Sequence, residues 1–308
     1  MSFQQTSTPT VQLACGHVVP ALGQGTWFIG DNPETHDQEA LALRAGMDHG
    51  MTLIDTAEMY GYGRSELLIG DALDAQNVHG GTLRDKDGKI LDRVDREDVY
   101  LVSKVLPNNA ENPYIHESLD ASLEALGVDY LDLYLLHWRG STPLRETVMC
   151  LESMVEEGKI RAWGVSNFDT DDMEDLWRIP EGRNCQVNQV LYHPGSRGIE
   201  YDLLPWMEDH DVALMAYCPL AQAGTLRRGL FSSPVLQDIA RKHHATVAQV
   251  ILAWDIRNGS TIAIPRSSSP LHTVENAGAA LIKLDDDDLY AIDNSWPAPR
   301  HKTPLDIQ

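Results

Sequence analysis

Short apolar runs alternate along this chain with stretches whose apolar positions recur every three or four residues. The runs are Leu22 to Thr26 (the weakest), Leu53-Ile54, Val99 to Val102, Leu131 to Leu136, Ile160 to Val165, Val187 to Tyr192, Val212 to Tyr217 and Ile262 to Ile264. They hold too few polar positions for strands with one wet face. The pattern therefore predicts strands buried on both faces, as in a parallel sheet. The intervening stretches read as helices. Leu144, Val148, Leu151 and Val155 form one helical stripe, with Thr142 as N-cap, Pro143 at the first position and Gly158 just past the end. Ile115, Leu119, Leu123 and Leu126 form another between Asn112-Pro113 and Gly127, and Val247 to Ile256 a third between Thr246 and Gly259.

Eight strand candidates alternating with helices, without a linker-like break in composition over 308 residues, favour one (β/α)8 TIM barrel as a single domain. A doubly wound open sheet is the alternative. It calls for G-x-G-x-x-G after the first strand, and Gly23-Gln24-Gly25-Thr26-Trp27-Phe28 lacks the third glycine. Three stretches fall outside the repeat. Val11 to Leu13 and Val18 to Pro20 flank Gly16 and predict an N-terminal β-hairpin. Residues 77–98 form a Gly- and Asp-rich loop insertion, with a hairpin turn expected at Asp87-Gly88 rather than a calcium loop. From Trp296 the tail is Pro-containing and expected to be irregular.

Charge narrows the function classes. Lys and Arg total 24 against 46 Asp and Glu, a formal net charge of -22, which disfavours nucleic acid and acidic membrane surfaces as partners. No run approaches the roughly 18 apolar residues of a membrane span, and MSFQQTSTPT has no secretory apolar core, so a cytoplasmic location is expected. Cys15, Cys150, Cys185 and Cys218 are far apart and read as reduced thiols. Asp outnumbers Glu 29 to 17, and 7 of the 24 basic residues are Lys. This bias fits either an ordinary acidic surface or one tuned for high salt. Nothing in the pattern requires more than a monomer.

Several runs end in a polar or ionisable residue: Asp55, Lys104, His137, Asn167 and Arg266. In a parallel barrel these ends surround one mouth, where barrel active sites lie. Each alone has a structural explanation, such as a turn cap, a core histidine or a lysine reaching solvent. Three ionisable types converging on one rim mark a site. Tyr60 stands on the turn after Asp55. A tyrosine is a weak acid near neutrality unless its phenolate is stabilised; Lys104 would lower its pKa, and Asp55 would hold the lysine charged. With His137 hydrogen-bonding a carbonyl, this set suits protonation of a carbonyl oxygen while hydride reaches its carbon. No metal is expected, since His243-His244 are adjacent and no His-x-x-x-His spacing occurs.

The words LIDTAEMYG, LVSKV, LDLYLLHW, GKIRAWGVSNF, VNQVLYHP, MAYCPLA and IPRSSSPLHTVEN follow one another in the order found in the aldo-keto reductase superfamily, which the chain resembles from about Val11 to Trp296. It looks most like small bacterial-type reductases of reactive dicarbonyls such as methylglyoxal. The resemblance implies NADP(H)-dependent reduction of small-molecule aldehydes or ketones, with Asp55, Tyr60, Lys104 and His137 as a catalytic tetrad. It further implies that Ser166, Asn167 and Gln189 hold the nicotinamide carboxamide and that Tyr217 stacks on its ring. Pro219, Leu220 and Gln222 would fold over the pyrophosphate, Arg266 and Ser267 would grip the 2′-phosphate, and Glu275 and Asn276 would contact adenine. Trp27 and Trp138 are the expected apolar walls of the substrate pocket.

Departures from the family pattern bear on the cofactor. Arg266 stands where Lys is common, which keeps the charge and adds a bidentate grip. His272 stands where many members place Arg, so NAD(H) is left open beside NADP(H). Two rival classes are a nicotinamide-binding regulatory or sensor subunit of the same fold and a metal-dependent barrel hydrolase.

Overall fold

The computed structural model describes residues 8–74, 82–85, 87–222 and 224–308. Strands β1 (Thr10–Gln12) and β2 (Val18–Pro20) pair antiparallel, Val11 facing Val19, and form the expected hairpin. Eight further strands follow, β3 (Gln24–Gly25), β4 (Leu53–Asp55), β5 (Tyr100–Val105), β6 (Leu133–Leu136), β7 (Trp163–Ser166), β8 (Val187–Leu191), β9 (Ala213–Tyr217) and β10 (Thr261–Ala263). Each is parallel to the next, in sequence order, in one eight-stranded sheet. The sheet closes on itself: Gly23 N donates to Ala263 O at 2.9 Å, Ala263 N to Ala21 O at 2.8 Å and Gly25 N to Pro265 O at 3.1 Å. Closure requires glycine at 25, where a Cβ would stand 2.7 Å from Ile264 O. This is the (β/α)8 barrel, and the open-sheet alternative is set aside.

Helices follow the strands: α1 (His36–Asp48), α2 (Arg64–Leu73), α3 (Tyr114–Leu126), α4 (Leu144–Glu156), α5 (Thr170–Trp177) and α6 (Leu203–Asp209). Between β9 and β10 lie α7 (Gly224–Phe231), α8 (Pro234–Lys242) and α9 (Val247–Asp255); α10 (Pro270–Ala277) and α11 (Asp286–Ser295) complete the chain. Gly127 and Gly158, at φ 65° and 75°, follow α3 and α4 as expected. Thr246 caps α9 in a reciprocal pair with Gln249. At α4 the expectation is displaced by one residue: Pro143 itself is the extended N-cap, at ψ 126°, and no side chain caps that end.

The two-residue period of the strands sorts side chains into two cores. Ile54, Leu101, Tyr134, Trp163, Val190 and Leu214 face outward and pack against the helices. Leu53, Val102, Leu133, Leu135, Val187 and Met215 fill the interior, closed at one end by Val11, Leu13 and Val19 of the hairpin segment. One residue pair further along the strands, the inward set turns polar. Leu53 gives way to Asp55, Val102 to Lys104, Leu135 to His137, Val187 to Gln189 and Met215 to Tyr217.

In the 77–98 stretch, Arg84 and Ile90 bridge antiparallel, and Asp85 Oδ1 accepts from the backbone N–H of Asp87 and Lys89, both at 2.9 Å. Gly88 takes φ 81°, so the turn falls at the expected place; residues 77–81 and 86 lie outside the described set. The tail after Trp296 contains no helix or strand, but side chains anchor it: Lys302 pairs with Asp169 and Asp202, and Ser196 bonds Asp306. Among the described residues no helix is long and apolar enough to cross a membrane.

Candidate active site

The polar layer opens into a cavity of about 520 Å³. Its innermost element is buried. Lys104 is 0% exposed, sits within β5 rather than after it, and is tolerated there because each ammonium proton finds an acceptor. Nζ donates to Asp55 Oδ2 and Thr56 O, both at 2.8 Å, and to the Tyr60 hydroxyl at 3.2 Å. The second Asp55 oxygen accepts from Gln189 Nε2 at 2.7 Å. Burial pushes the Asp55 carboxyl up and the Lys104 ammonium down, and the pair opposes both shifts through its own attraction and hydrogen bond.

Tyr60 is carried by a turn that the chain fixes from two sides. Beneath it, Ser65 Oγ donates to Thr26 Oγ1 at 2.7 Å, Thr26 Oγ1 to Asp55 O at 3.0 Å and Thr56 Oγ1 to Ser65 Oγ at 3.2 Å, all three side chains buried. On the far side, Glu58 Oε1 accepts from Leu106 N at 2.6 Å and Asn109 Nδ2 at 3.1 Å, tying the turn to the end of β5. The Tyr60 hydroxyl departs from expectation. Burial first, then Asp55, Cys218 and Tyr217, hold its pKa well above the usual phenol value, so the residue is a neutral phenol. The expected lowering by Lys104 is outweighed because desolvation acts on the anion alone.

His137 meets Tyr60 edge-on, ring centroids 5.8 Å apart. Burial and then the Lys104 charge lower its pKa to about 2, and its Nδ1 is buried without a partner. The imidazole is neutral. Around the rim, Asn167 adopts φ 57°, a conformation Asn tolerates. Its Nδ2 donates to His137 O and Ser166 Oγ, both at 3.2 Å, while its Oδ1 accepts from the Tyr217 hydroxyl at 2.9 Å. Trp27 lies parallel to Phe28 at 4.7 Å and to Tyr60 at 6.4 Å, with Trp138 beside His137 at 4.9 Å.

Most of the sequence-derived residues meet at this cavity: Asp55, Tyr60, His137, Ser166, Asn167, Gln189, Tyr217, Pro219, Leu220, Gln222, Arg266, Trp27 and Trp138 all line it. Lys104 lies behind the wall. Ser267, His272, Glu275 and Asn276 do not line it. Ser267 Oγ instead bonds Ser269 at the entry to α10, His272 is exposed on that helix, and Asn276 is buried. The sequence reading missed Phe28, Met59, Cys218, Arg227 and Gln308 among the wall residues. Met59 and Cys218 adjoin identified residues and could have been found from that adjacency. Gln308 carries no local signal, because the contacts that bring the tail across the barrel lie distant in sequence.

Comparison with known proteins places this geometry. The Aldo/keto reductase family pattern matches residues 21–297. Methylglyoxal reductase YeaE of Escherichia coli (strain K12) is 47% identical over 289 residues, covering 94% of this chain and 95% of that protein. An aldo/keto reductase from Klebsiella pneumoniae, solved in complex with NADP and acetate, superposes with TM-score 0.89 at 47% identity over 98% of this chain and 100% of that one. A second Klebsiella pneumoniae aldo-keto reductase structure, in complex with NADPH, gives TM-score 0.89 at 48% identity over the same shares of the two chains. A barrel of this topology with this rim, matched along nearly its whole length, belongs to the aldo/keto reductase family.

Proposed function

We propose that the protein reduces small aldehydes or ketones, reactive dicarbonyls such as methylglyoxal among them, using NADP(H). The carrying observation is the chain of contacts from Asp55 through Lys104 to the Tyr60 hydroxyl, which ends beside a neutral His137 at the wall of one cavity. Names of relatives support the same reading: the 47%-identical protein is a methylglyoxal reductase, and the Klebsiella structures hold NADP or NADPH.

The wall fits a nicotinamide dinucleotide. The Ser166–Asn167 pair and Gln189 present amide and hydroxyl groups beside the Tyr217 ring, which is itself a wall residue. Gln189 commits its N–H to Asp55, leaving its carbonyl oxygen for a carboxamide. The Arg266 guanidinium is exposed, and among the described residues its one hydrogen bond is a long 3.4 Å approach to Phe28 O, which leaves N–H groups for a phosphate. Bound there, the reduced cofactor supplies hydride to the carbonyl carbon. Tyr60 supplies the proton to the carbonyl oxygen, and Lys104, held charged by Asp55, takes the developing phenolate as a hydrogen-bond acceptor. Neutral His137 donates an N–H to that oxygen and orients it without adding charge. Trp27, Phe28, Met59 and Trp138 give the substrate an apolar wall.

The setting is the cytoplasm, a reading supported by the four unpaired cysteines. The test is an NADPH-oxidation screen of the purified protein over methylglyoxal, aromatic aldehydes, aldoses and ketones, at low and high salt. Multiple turnover with a dicarbonyl or simple aldehyde is expected. Binding of NADPH without turnover of any of them would favour the regulatory-subunit reading instead.

A further inference from the structure

One buried carboxyl takes no part in the contacts described so far. Helix α2 turns Leu68, Ile69, Ala72 and Leu73 into the outer core, and Glu66, on the same helix, is 2% exposed. A carboxylate in such a place is costly unless its charge is compensated. Its Oε1 accepts from Ser103 Oγ at 2.6 Å, a hydroxyl that is itself fully buried. Ser103 stands between Val102 and Lys104 on β5, so it points outward while they point into the barrel. Glu66 therefore lies against the outer face of the strand whose inner face carries the lysine that meets Tyr60.

Its sequence neighbour makes this contact part of the frame of the site. Ser65 bonds Thr26 and Thr56 beneath the Tyr60 turn, and the next residue, Glu66, bonds the strand that carries Lys104. The first turn of α2 thus ties the tyrosine's turn to the lysine's strand. Charge acts across the same link. Burial pushes the Glu66 carboxyl up and Glu58 adds to the rise, while the Ser103 bond, the Ser122 hydroxyl of α3 and the Lys104 charge oppose it. Burial lowers the Lys104 ammonium, and Asp55 and then Glu66 oppose that. Tyr134 of β6, in register with Ser103, completes the outer surroundings as a neutral phenol. On the inner face Asp55 divides its carboxylate between Lys104 and Gln189, and the lysine's charge also reaches His137. We propose that Glu66 is a positioning residue for the proton transfer: bonded to Ser103, it holds a second negative charge against β5 and keeps Lys104 charged and in register with Tyr60. This role rests on the reductase reading above.

The experiment is single-turnover reduction of methylglyoxal by NADPH-loaded wild type, Glu66→Gln and Ser103→Ala across about pH 6–10, where a lysine lowered from its usual value gives up its proton. Glutamine keeps the shape of the side chain and an acceptor for Ser103 but removes the charge. Glu66→Gln is expected to move the alkaline limb down by about one pH unit, because an anion that favours the Lys104 proton is gone. Ser103→Ala, which leaves the carboxylate untied from β5, is expected to move it the same way by less. An alkaline limb that stays at its wild-type pH in Glu66→Gln overturns the proposal, even where the rate falls by one factor at every pH, the mark of a purely structural residue. If Glu66→Gln does not fold, an unmoved limb in Ser103→Ala overturns it equally. A wild type that turns over no carbonyl with NADPH contradicts the functional reading itself, and the proposal with it. Turnover by the wild type, with both variants sharing its limb, contradicts the role of Glu66 alone.

Discussion

The Lys104 ammonium donates to the Tyr60 hydroxyl across 3.2 Å, with no solvent reaching the lysine. The contact joins two residues 44 positions apart in sequence, one inside β5 and one on the turn after β4. Its partner bond, to Asp55 at 2.8 Å, favours the lysine's charge in a place where burial disfavours it. A buried pair of this kind adds little net stability when intact but is costly to break. Asp55→Asn is therefore expected to destabilise the fold by about 3–5 kcal/mol, because an uncompensated ammonium is left at the base of the cavity. Urea unfolding at pH 7 measures this; a loss below about 1 kcal/mol would mean that the pair is not ionised in the native protein.

Cofactor choice should depend on Arg266. Its guanidinium is exposed and has no side-chain partner among the described residues, so a 2′-phosphate is its natural counter-ion. Arg266→Ala is expected to lower the ratio of kcat/KM for NADPH over NADH by about ten- to a hundredfold. Added salt should lower the wild-type ratio, since an exposed contact is screened. A ratio unchanged by the substitution would remove Arg266 from the phosphate site.

Acid stability should carry the mark of His193. Burial lowers its pKa from 6.5 to about 4, and Gly195 N donates to its Nδ1 at 3.1 Å, which requires that nitrogen to be unprotonated. The unfolded chain therefore binds a proton that the native chain refuses. Stability from this group is complete above pH 6.5 and is lost as pH falls toward 4, by up to about 1.4 kcal/mol per pH unit. His193→Gln should flatten the decline in urea midpoint between pH 7 and pH 5 relative to wild type. Identical pH profiles for the two proteins would show that His193 is not held neutral.

The barrel was legible in the sequence because its strands are buried on both faces, so they appear as apolar runs such as Leu133 to Leu136. Asp55, Lys104 and His137 stood out for the same reason: a charge or imidazole at the end of such a run needs a partner. Two features were less legible. Arg227 sits on a helix, where arginine is unremarkable, and only the turn at Leu220–Ala221 aims it into the cavity. Gln308 reaches the wall through anchors such as Ser196–Asp306 that no local pattern encodes. The depressed acidity of Tyr60 was misjudged because sequence shows the nearby Lys104 but not the burial that outweighs it.

The acidic composition yields its own test. If the -22 charge destabilises the compact state by self-repulsion, the thermal midpoint should rise from low to molar potassium chloride. A flat or falling midpoint would leave an ordinary acidic surface.

The central claim is that Tyr60 delivers the proton. Its most direct measurement is single-turnover reduction of methylglyoxal by NADPH-loaded wild type and Tyr60→Phe, with NADPH affinity measured in parallel. Removing a positioned general acid is expected to slow hydride transfer by about 10²–10⁴-fold while the NADPH Kd stays at its wild-type value. Transfer at near wild-type rate in Tyr60→Phe would contradict the assignment of the proton to Tyr60.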